Sequence, residues 1–112
     1  MLRTTKQQKR LCGICPIAKV ADLVGDSYTI LIVRDLLKSP KRFGDLEASL
    51  SGISTRTLTK KLKALEEFGI IKRDEFIEKP PRVVYSLTKK GLGLNDITEA
   101  MNKYGKKYLS KS

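Results

Sequence analysis

The two thiols, Cys12 and Cys15, are the side chains best suited to redox chemistry, and two residues separate them. Pro16 fits the first turn of a helix, where its missing amide hydrogen is not needed, so Cys15 is expected at or beside the N-cap. There the helix dipole favours a thiolate, and Lys19 adds a positive charge within one turn. Cys12 is near enough to resolve an oxidised Cys15 into a disulfide. The spacing therefore indicates a pair that could report oxidants or electrophiles.

Three other interpretations of this pair compete with sensing. A structural zinc site needs four ligands, and two Cys with no His cannot supply them within one chain. A thioredoxin-like redox enzyme would need the pair after a strand in a βαβ unit, and no such pattern follows. Two small, half-buried cysteines without a function would give the same sequence. A sensing pair and a structural pair both remain open.

A second set of residues is suited to binding. Leu58, Leu62 and Leu65 recur at helical spacing, with Ser54 placed to cap the helix and Gly69 placed to end it. The opposite face carries hydroxyls and cations and no acid. Its members are Thr55, Arg56, Thr59, Lys60 and Lys63. Such a face, with Ser54 at its start, could lie in the major groove of DNA, although a solvated surface helix is the alternative.

Composition limits the classes of function. The 112 residues suffice for one domain, and a net charge of +11, from 23 Lys and Arg against 12 Asp and Glu, is typical of nucleic-acid binders. No apolar run could span a bilayer and no secretory signal is evident, so a cytoplasmic protein without a membrane partner is expected. Histidine is absent and no catalytic spacing is seen, so we expect neither an enzyme nor a metal or cofactor.

Three helices are predicted before the basic one. The first follows Pro16 along an apolar stripe of Ile17, Val20, Ala21 and Val24. Asp26 can cap the next, Ser27–Lys38, which is apolar on nearly every side and should be the central buried helix. A short third helix over about Gly44–Leu50 leads through a Ser51–Gly52 turn into the basic helix. Two helices joined in this way, the second basic, predict a helix-turn-helix.

The pattern changes after the basic helix. Ile70–Arg73 and Val83–Leu87 are short and β-prone, and a proline-bearing segment, Glu78–Arg82, joins them. A hairpin in this position would be a wing, and its cations Lys79 and Arg82 could touch a DNA backbone. An ordinary surface hairpin is the alternative.

A last helix is expected after Thr88, which can cap it. Its apolar residues follow a narrow heptad-like spacing. They are Leu94, Ile97, Met101, Tyr104 and Tyr108. Because the domain already has a core, we favour pairing with a second copy of the chain over packing within one subunit.

Taken together, the motifs resemble the HxlR-type family of winged helix-turn-helix transcriptional regulators. The resemblance covers about residues 15–108. The matching pieces are Cys15–Pro16, Gly25–Thr29, Arg42–Leu46, Gly52–Ser54, Leu58–Glu66, Gly69–Ile71, Pro80–Thr88 and Gly91. It implies a DNA-binding winged helix, a homodimer built through the terminal helices, and bacterial-type repression or activation.

The resemblance also bears on the thiols. In several members the cysteine of the Cys-Pro pair senses oxidants or electrophiles, which corresponds here to Cys15. This chain departs from the family at Ser27–Tyr28, where Lys-Trp is usual, and in Cys12, which would let a disulfide form within one chain instead of between subunits.

The sequence thus predicts a mainly α protein with a small β-hairpin, a winged helix-turn-helix with extra N- and C-terminal dimerisation helices. Residues 1–14 would form a basic arm, 15–87 the winged core and 88–112 the dimerisation helix. The expected function is sequence-specific regulation of transcription by a homodimer on a pseudo-palindromic double-stranded operator, with an oxidant or small molecule as effector. The alternatives are a sequence-neutral architectural DNA-binding protein and a winged-helix module that binds proteins.

Overall fold

The architecture follows the predicted order of helices and strands. The computed structural model describes residues 15–109, so the expected arm over residues 1–14, with Cys12, and the end of the dimerisation segment lie outside the described residues. The elements in chain order are α1 Pro16–Val24, α2 Ser27–Lys38, β1 Lys41–Arg42, α3 Phe43–Ser49, α4 Thr55–Glu67, β2 Ile71–Phe76, β3 Arg82–Leu87, α5 Lys89–Leu92, α6 Asn95–Tyr104 and a π-helical turn Gly105–Leu109.

Helix α2 is the central helix that the sequence predicts. Its N-cap, Asp26, accepts a hydrogen bond from the Thr29 amide at 2.9 Å, and the helix ends before Pro40. Ile32 and Val33 are fully buried, as expected of a helix that is apolar on most sides.

Helices α3 and α4 form the helix-turn-helix. Gly52 has φ 91° in the turn between them, a backbone conformation that glycine adopts without strain. Helix α4 begins after Ser54, whose Oγ accepts from the Thr57 amide at 3.0 Å, and its C-cap Phe68 is followed by Gly69, with φ 75°. Helix α3 begins one residue earlier than predicted, because the Arg42 amide donates to the Asp45 carboxylate at 3.0 Å and closes its first turn.

The wing belongs to a three-stranded antiparallel sheet of order β1-β3-β2. Strands β2 and β3 pair from Ile71 opposite Leu87 to Phe76 opposite Arg82, so β2 extends three residues beyond the predicted Arg73. Strand β1, which pairs with β3 across two residues, is not predicted by the sequence pattern. A strand of that length has no alternation to detect, and only its partner defines it.

One apolar cluster holds these elements together. It joins α2, α3 and α4 to the base of the hairpin. Its buried members are Ile32, Val33, Leu36, Leu46, Leu50, Ile53, Leu58, Leu62, Leu65, Ile70, Ile71, Tyr85 and Leu94. Since all three leucines of the apolar face of α4 are buried, the opposite face of that helix is fixed towards solvent.

The prediction of one continuous last helix is wrong, because the structure has two helices there. The Thr88 hydroxyl accepts from the Gly91 amide at 3.1 Å and caps only the short helix α5, which ends at Gly93. Two glycines within three residues weaken a continuous helix there. Helix α6 starts anew after Leu94, which is only 7% exposed and is part of the core cluster.

Helix α1 is where the sequence predicts it, but its apolar stripe is divided. Val24 packs against the core cluster, whereas Ile17 is 80% exposed and Val20 is 37% exposed. The side of α1 that is buried instead carries Asp22. A single chain therefore leaves part of this stripe in solvent.

Candidate nucleic-acid interface

Helix α4 presents the cationic face that its sequence predicts. Leu58, Leu62 and Leu65 are at most 2% exposed and fix the rotation of the helix on the core. The remaining predicted residues of this face lie on the solvent side. Ser54, Thr55, Arg56, Thr59, Lys60 and Lys63 are all exposed. The structure thus brings the predicted residues together on one accessible surface, which we call the α4 face.

The hydroxyls at the start of the α4 face are held by hydrogen bonds. Thr55 Oγ1 donates to Glu47 Oε2 at 2.7 Å, and Thr59 Oγ1 donates to the Thr55 carbonyl at 2.8 Å. Ser54 Oγ donates to Thr57 Oγ1 at 2.9 Å. Glu47, on α3, is a carboxylate beside the α4 face that sequence reasoning missed, since no sequence pattern links it to Thr55.

The cations of helix α4 differ in whether they are already paired with a carboxylate. Among the ion pairs between residues 15–109, none includes Arg56, Lys60 or Lys63. Lys61 is different, because its Nζ donates to Asp26 Oδ2 at 2.9 Å and its side chain is 18% exposed. Lys61 therefore ties α4 to the start of α2, and its neighbours Lys60 and Lys63 supply charge to solvent.

The electrostatics of Asp26 reflect this tie. Burial acts to raise the pKa of its carboxyl group, whereas hydrogen bonds from Lys61 and from the amide and hydroxyl of Thr29 act to lower it. The pKa of Asp26 is well below its usual value, and Asp26 stays ionised in the folded protein.

The two wing cations have different surroundings. Arg82 pairs with Glu78 at 2.9 Å, and its guanidinium lies 4.4 Å from the centroid of the Phe76 ring. Its side chain is 34% exposed, so much of it packs within the hairpin. Lys79 is exposed at the tip, with no ion pair to another residue of the described part of the chain. Lys79 is thus unpaired among the described residues, whereas Arg82 already contacts Glu78 and Phe76.

Cys15 occupies the N-cap of α1, as predicted. Its Sγ accepts a hydrogen bond from the Ala18 amide at 3.4 Å, and the residue is partly buried. Its proposed partner, Cys12, falls outside the described residues.

The predicted apolar seam near the C-terminus is split between the core and the surface. The structure places Leu94 in the core of the single subunit and not on the predicted interface. Ile97 also packs partly on the core. Met101, Tyr104 and Tyr108 are 52%, 60% and 58% exposed, with the two tyrosine rings 4.9 Å apart. These three residues, called the seam surface below, remain accessible to a partner.

Two other features are absent from the described part of the chain. Residues 15–109 contain no group of three or more Cys, Asp and Glu placed to hold a metal ion. No helix in this range is long and apolar enough to cross a membrane.

Comparisons with known proteins show what the chain resembles. A family model described as HxlR-like helix-turn-helix matches residues 23–112. An HTH-type transcriptional regulator of Synechocystis is 46% identical over 98 residues, which cover 88% of this chain and 73% of that protein. The solved structure of the redox regulator HypR in its oxidised form has a TM-score of 0.81 at 30% identity, covering 87% of this chain and 100% of that one. The reduced form of the transcriptional regulator YodB from B. subtilis has a TM-score of 0.74 at 32% identity, covering 87% and 96%.

Proposed function

Because the chain belongs to the HxlR-like helix-turn-helix family, we propose that it regulates transcription by binding specific sequences of double-stranded DNA as a homodimer. The observation that carries this proposal is the α4 face, an exposed helix surface with cations that no carboxylate of residues 15–109 neutralises. A net charge of +11 adds a long-range attraction to the DNA polyanion. Such binding would take place in the cytoplasm.

The geometry supports different DNA contacts for different residues, some with bases and others with phosphates. With α4 in the major groove, its first turn is nearest the base edges, and Arg56 is the residue able to make a bidentate contact with guanine. Lys60 and Lys63, further along the same face, would meet phosphates, as would Lys79 at the wing tip. Glu47 would hold Thr55 in place beside Arg56 and could accept from a cytosine amino group.

The homodimer is supported by the seam surface. Met101, Tyr104 and Tyr108 are apolar or aromatic and stay accessible in one subunit, and aromatic residues are enriched at protein interfaces. Pairing through this surface would place two α4 faces on successive half-sites about 10 bp apart, which a pseudo-palindromic operator provides.

Thiol responsiveness is the regulatory part of the proposal. Cys15 caps α1, and its Sγ is joined only to the Ala18 amide among the hydrogen bonds recorded for residues 15–109. HypR, named as a redox regulator, shares the fold over most of both chains. Oxidation of Cys15 would remove its cap interaction and change how α1 packs, and a dimer would pass that change to the DNA-binding helices.

Selection from a random duplex library tests the DNA-binding function. The selected sequence should bind at least about a thousandfold more tightly than a scrambled duplex of equal length at physiological salt. A ratio near one with a steep salt dependence would instead identify a sequence-neutral architectural protein. No binding to any duplex at low salt would identify a protein-interaction module.

A further inference from the structure

A cavity of about 330 Å³ lies between the back of α4 and the junction of α1 with α2. One part of its wall is apolar, with Leu23 from α1 and Ala64, Leu65 and Phe68 from α4 and its end. Phe68 is 40% exposed although it has a large ring, so the cavity leaves aromatic surface uncovered. A cavity of this size suits a small organic molecule with at least one ring.

The polar part of the wall is cationic. Asp26 and Lys61 line it but neutralise one another through their 2.9 Å contact. Lys60 also lines it and has no carboxylate partner among residues 15–109, so its ammonium group is available to an anionic ligand. Thr57 Oγ1 accepts from Ser54, which leaves the Thr57 hydroxyl proton free to be donated to a ligand.

We propose that this cavity is an effector site for a ring-bearing monoanion, an aryl carboxylate in chemical class, and that its occupation weakens DNA binding. The ring would pack on Phe68 and Leu23, and the carboxylate would accept from Lys60 and Thr57. The carboxylate supplies the anionic partner that Lys60 lacks among residues 15–109, which an amine could not do.

The effect on DNA rests on the proposed function, since Lys60 also belongs to the α4 face. A carboxylate that holds the Lys60 ammonium withdraws it from a phosphate, and a ligand wedged against Thr57, Ala64 and Phe68 shifts α4 relative to α2. The two equilibria are then linked. The ligand lowers DNA affinity by some factor, and DNA must lower ligand affinity by the same factor.

The first test is direct binding to the full chain without DNA, with naphthoate as the probe and the isosteric neutral naphthamide as its control. Calorimetry should show saturable naphthoate binding with at least about tenfold weaker binding of naphthamide, because the amide forgoes a charge-assisted hydrogen bond. Lys60→Met should weaken naphthoate binding about tenfold for the same reason. Lys63→Met removes the same charge from the same helix outside the cavity, and naphthoate binding should be unchanged.

A second variant, Ala64→Leu, fills the cavity without altering charge and should abolish naphthoate binding in a protein whose thermal unfolding remains cooperative. If Ala64→Leu does not fold, the comparison of Lys60→Met with Lys63→Met still decides the result. Equal affinity for naphthoate and naphthamide, equal losses in the two lysine variants, or no binding at all would each overturn the site.

The second test measures coupling. Saturating naphthoate should lower affinity for the selected operator severalfold in the wild type and leave Ala64→Leu unaffected. Naphthoate that binds without changing operator affinity would overturn the effector role. If no DNA sequence is bound while naphthoate still is, the proposed function fails and the ligand site stands.

Discussion

Lys61 Nζ lies 2.9 Å from Asp26 Oδ2, and this contact joins helix α4 to the N-cap of the central helix α2 across 35 positions of sequence. Both side chains are less than one-fifth exposed, at 18% and 19%. The pair therefore ties α4 to the start of α2, although neither residue belongs to the α4 face.

Asp26→Asn should destabilise the protein at neutral pH and reduce its sensitivity to acid. Asn still caps α2, so the change removes chiefly the ion pair, worth about 1.5–3 kcal/mol for hydrogen bonds to charged groups. Because folding depresses the pKa of Asp26, its stabilisation is present above the unfolded pKa, near about 4, and is lost as pH falls towards the folded value.

Urea unfolding at pH 7 and pH 3 measures this effect. The wild type should lose more stability between the two values than Asp26→Asn does. Asp96→Asn, a control at an exposed aspartate on α6, should behave as the wild type. Equal pH dependence in all three proteins would mean that the Asp26–Lys61 pair contributes no stability.

Arg56→Ala should weaken binding to the selected operator by about 1–3 kcal/mol and binding to scrambled DNA by less, since the expected loss is a base contact. Lys63→Ala, as the matched comparison, should weaken both by similar amounts because a phosphate contact carries no sequence information. Fluorescence anisotropy with both duplexes separates the two cases. Equal losses for Arg56→Ala would reassign Arg56 to the phosphate backbone.

Lys79→Ala should lower the slope of log Kd against log salt concentration by about one and leave folding intact, because Lys79 is exposed at the wing tip. Arg82→Ala should weaken all DNA sequences too, but with a measurable loss of stability, since it also breaks the contacts with Glu78 and Phe76. Salt titrations and thermal unfolding of both variants provide the measurement. An unchanged slope in Lys79→Ala would place the wing away from the DNA.

The double variant Met101→Asp with Tyr104→Asp should produce a monomer with much weaker operator binding. A dimer interface would have to bury the two new carboxylates unpaired, which is strongly unfavourable. Sedimentation velocity reports the state of assembly. Lys103→Asp, exposed on the same helix but outside the seam surface, is the control and should remain dimeric. A dimeric double variant would move the interface elsewhere, with the exposed Ile17 of α1 the next surface to test.

Mild oxidant should change the operator affinity of the wild type and leave that of Cys15→Ser unchanged. The thiolate of Cys15 is the expected point of attack, and Cys12 is the expected resolving thiol. Operator titrations with and without oxidant, together with mass spectrometry of the peptide spanning residues 12–15, give the readout. Indifference of the wild type after both thiols have been modified would make the pair structural.

The sequence by itself determined the local elements. The leucine spacing of α4, the caps at Asp26 and Ser54, and the end at Gly69 are set by contacts within a few residues, and so periodicity and residue type were enough to predict them. The winged helix-turn-helix follows from their order.

Tertiary structure decided which of these side chains are available to contact DNA or a second subunit. Only packing shows that Lys61 is tied to Asp26, that Arg82 stacks on Phe76, and that Leu94 lies in the core instead of on the seam surface. Strand β1 likewise exists only because β3 lies beside it. Most of these outcomes depend on residues far apart in the chain, and a sequence pattern does not state which distant residues come into contact.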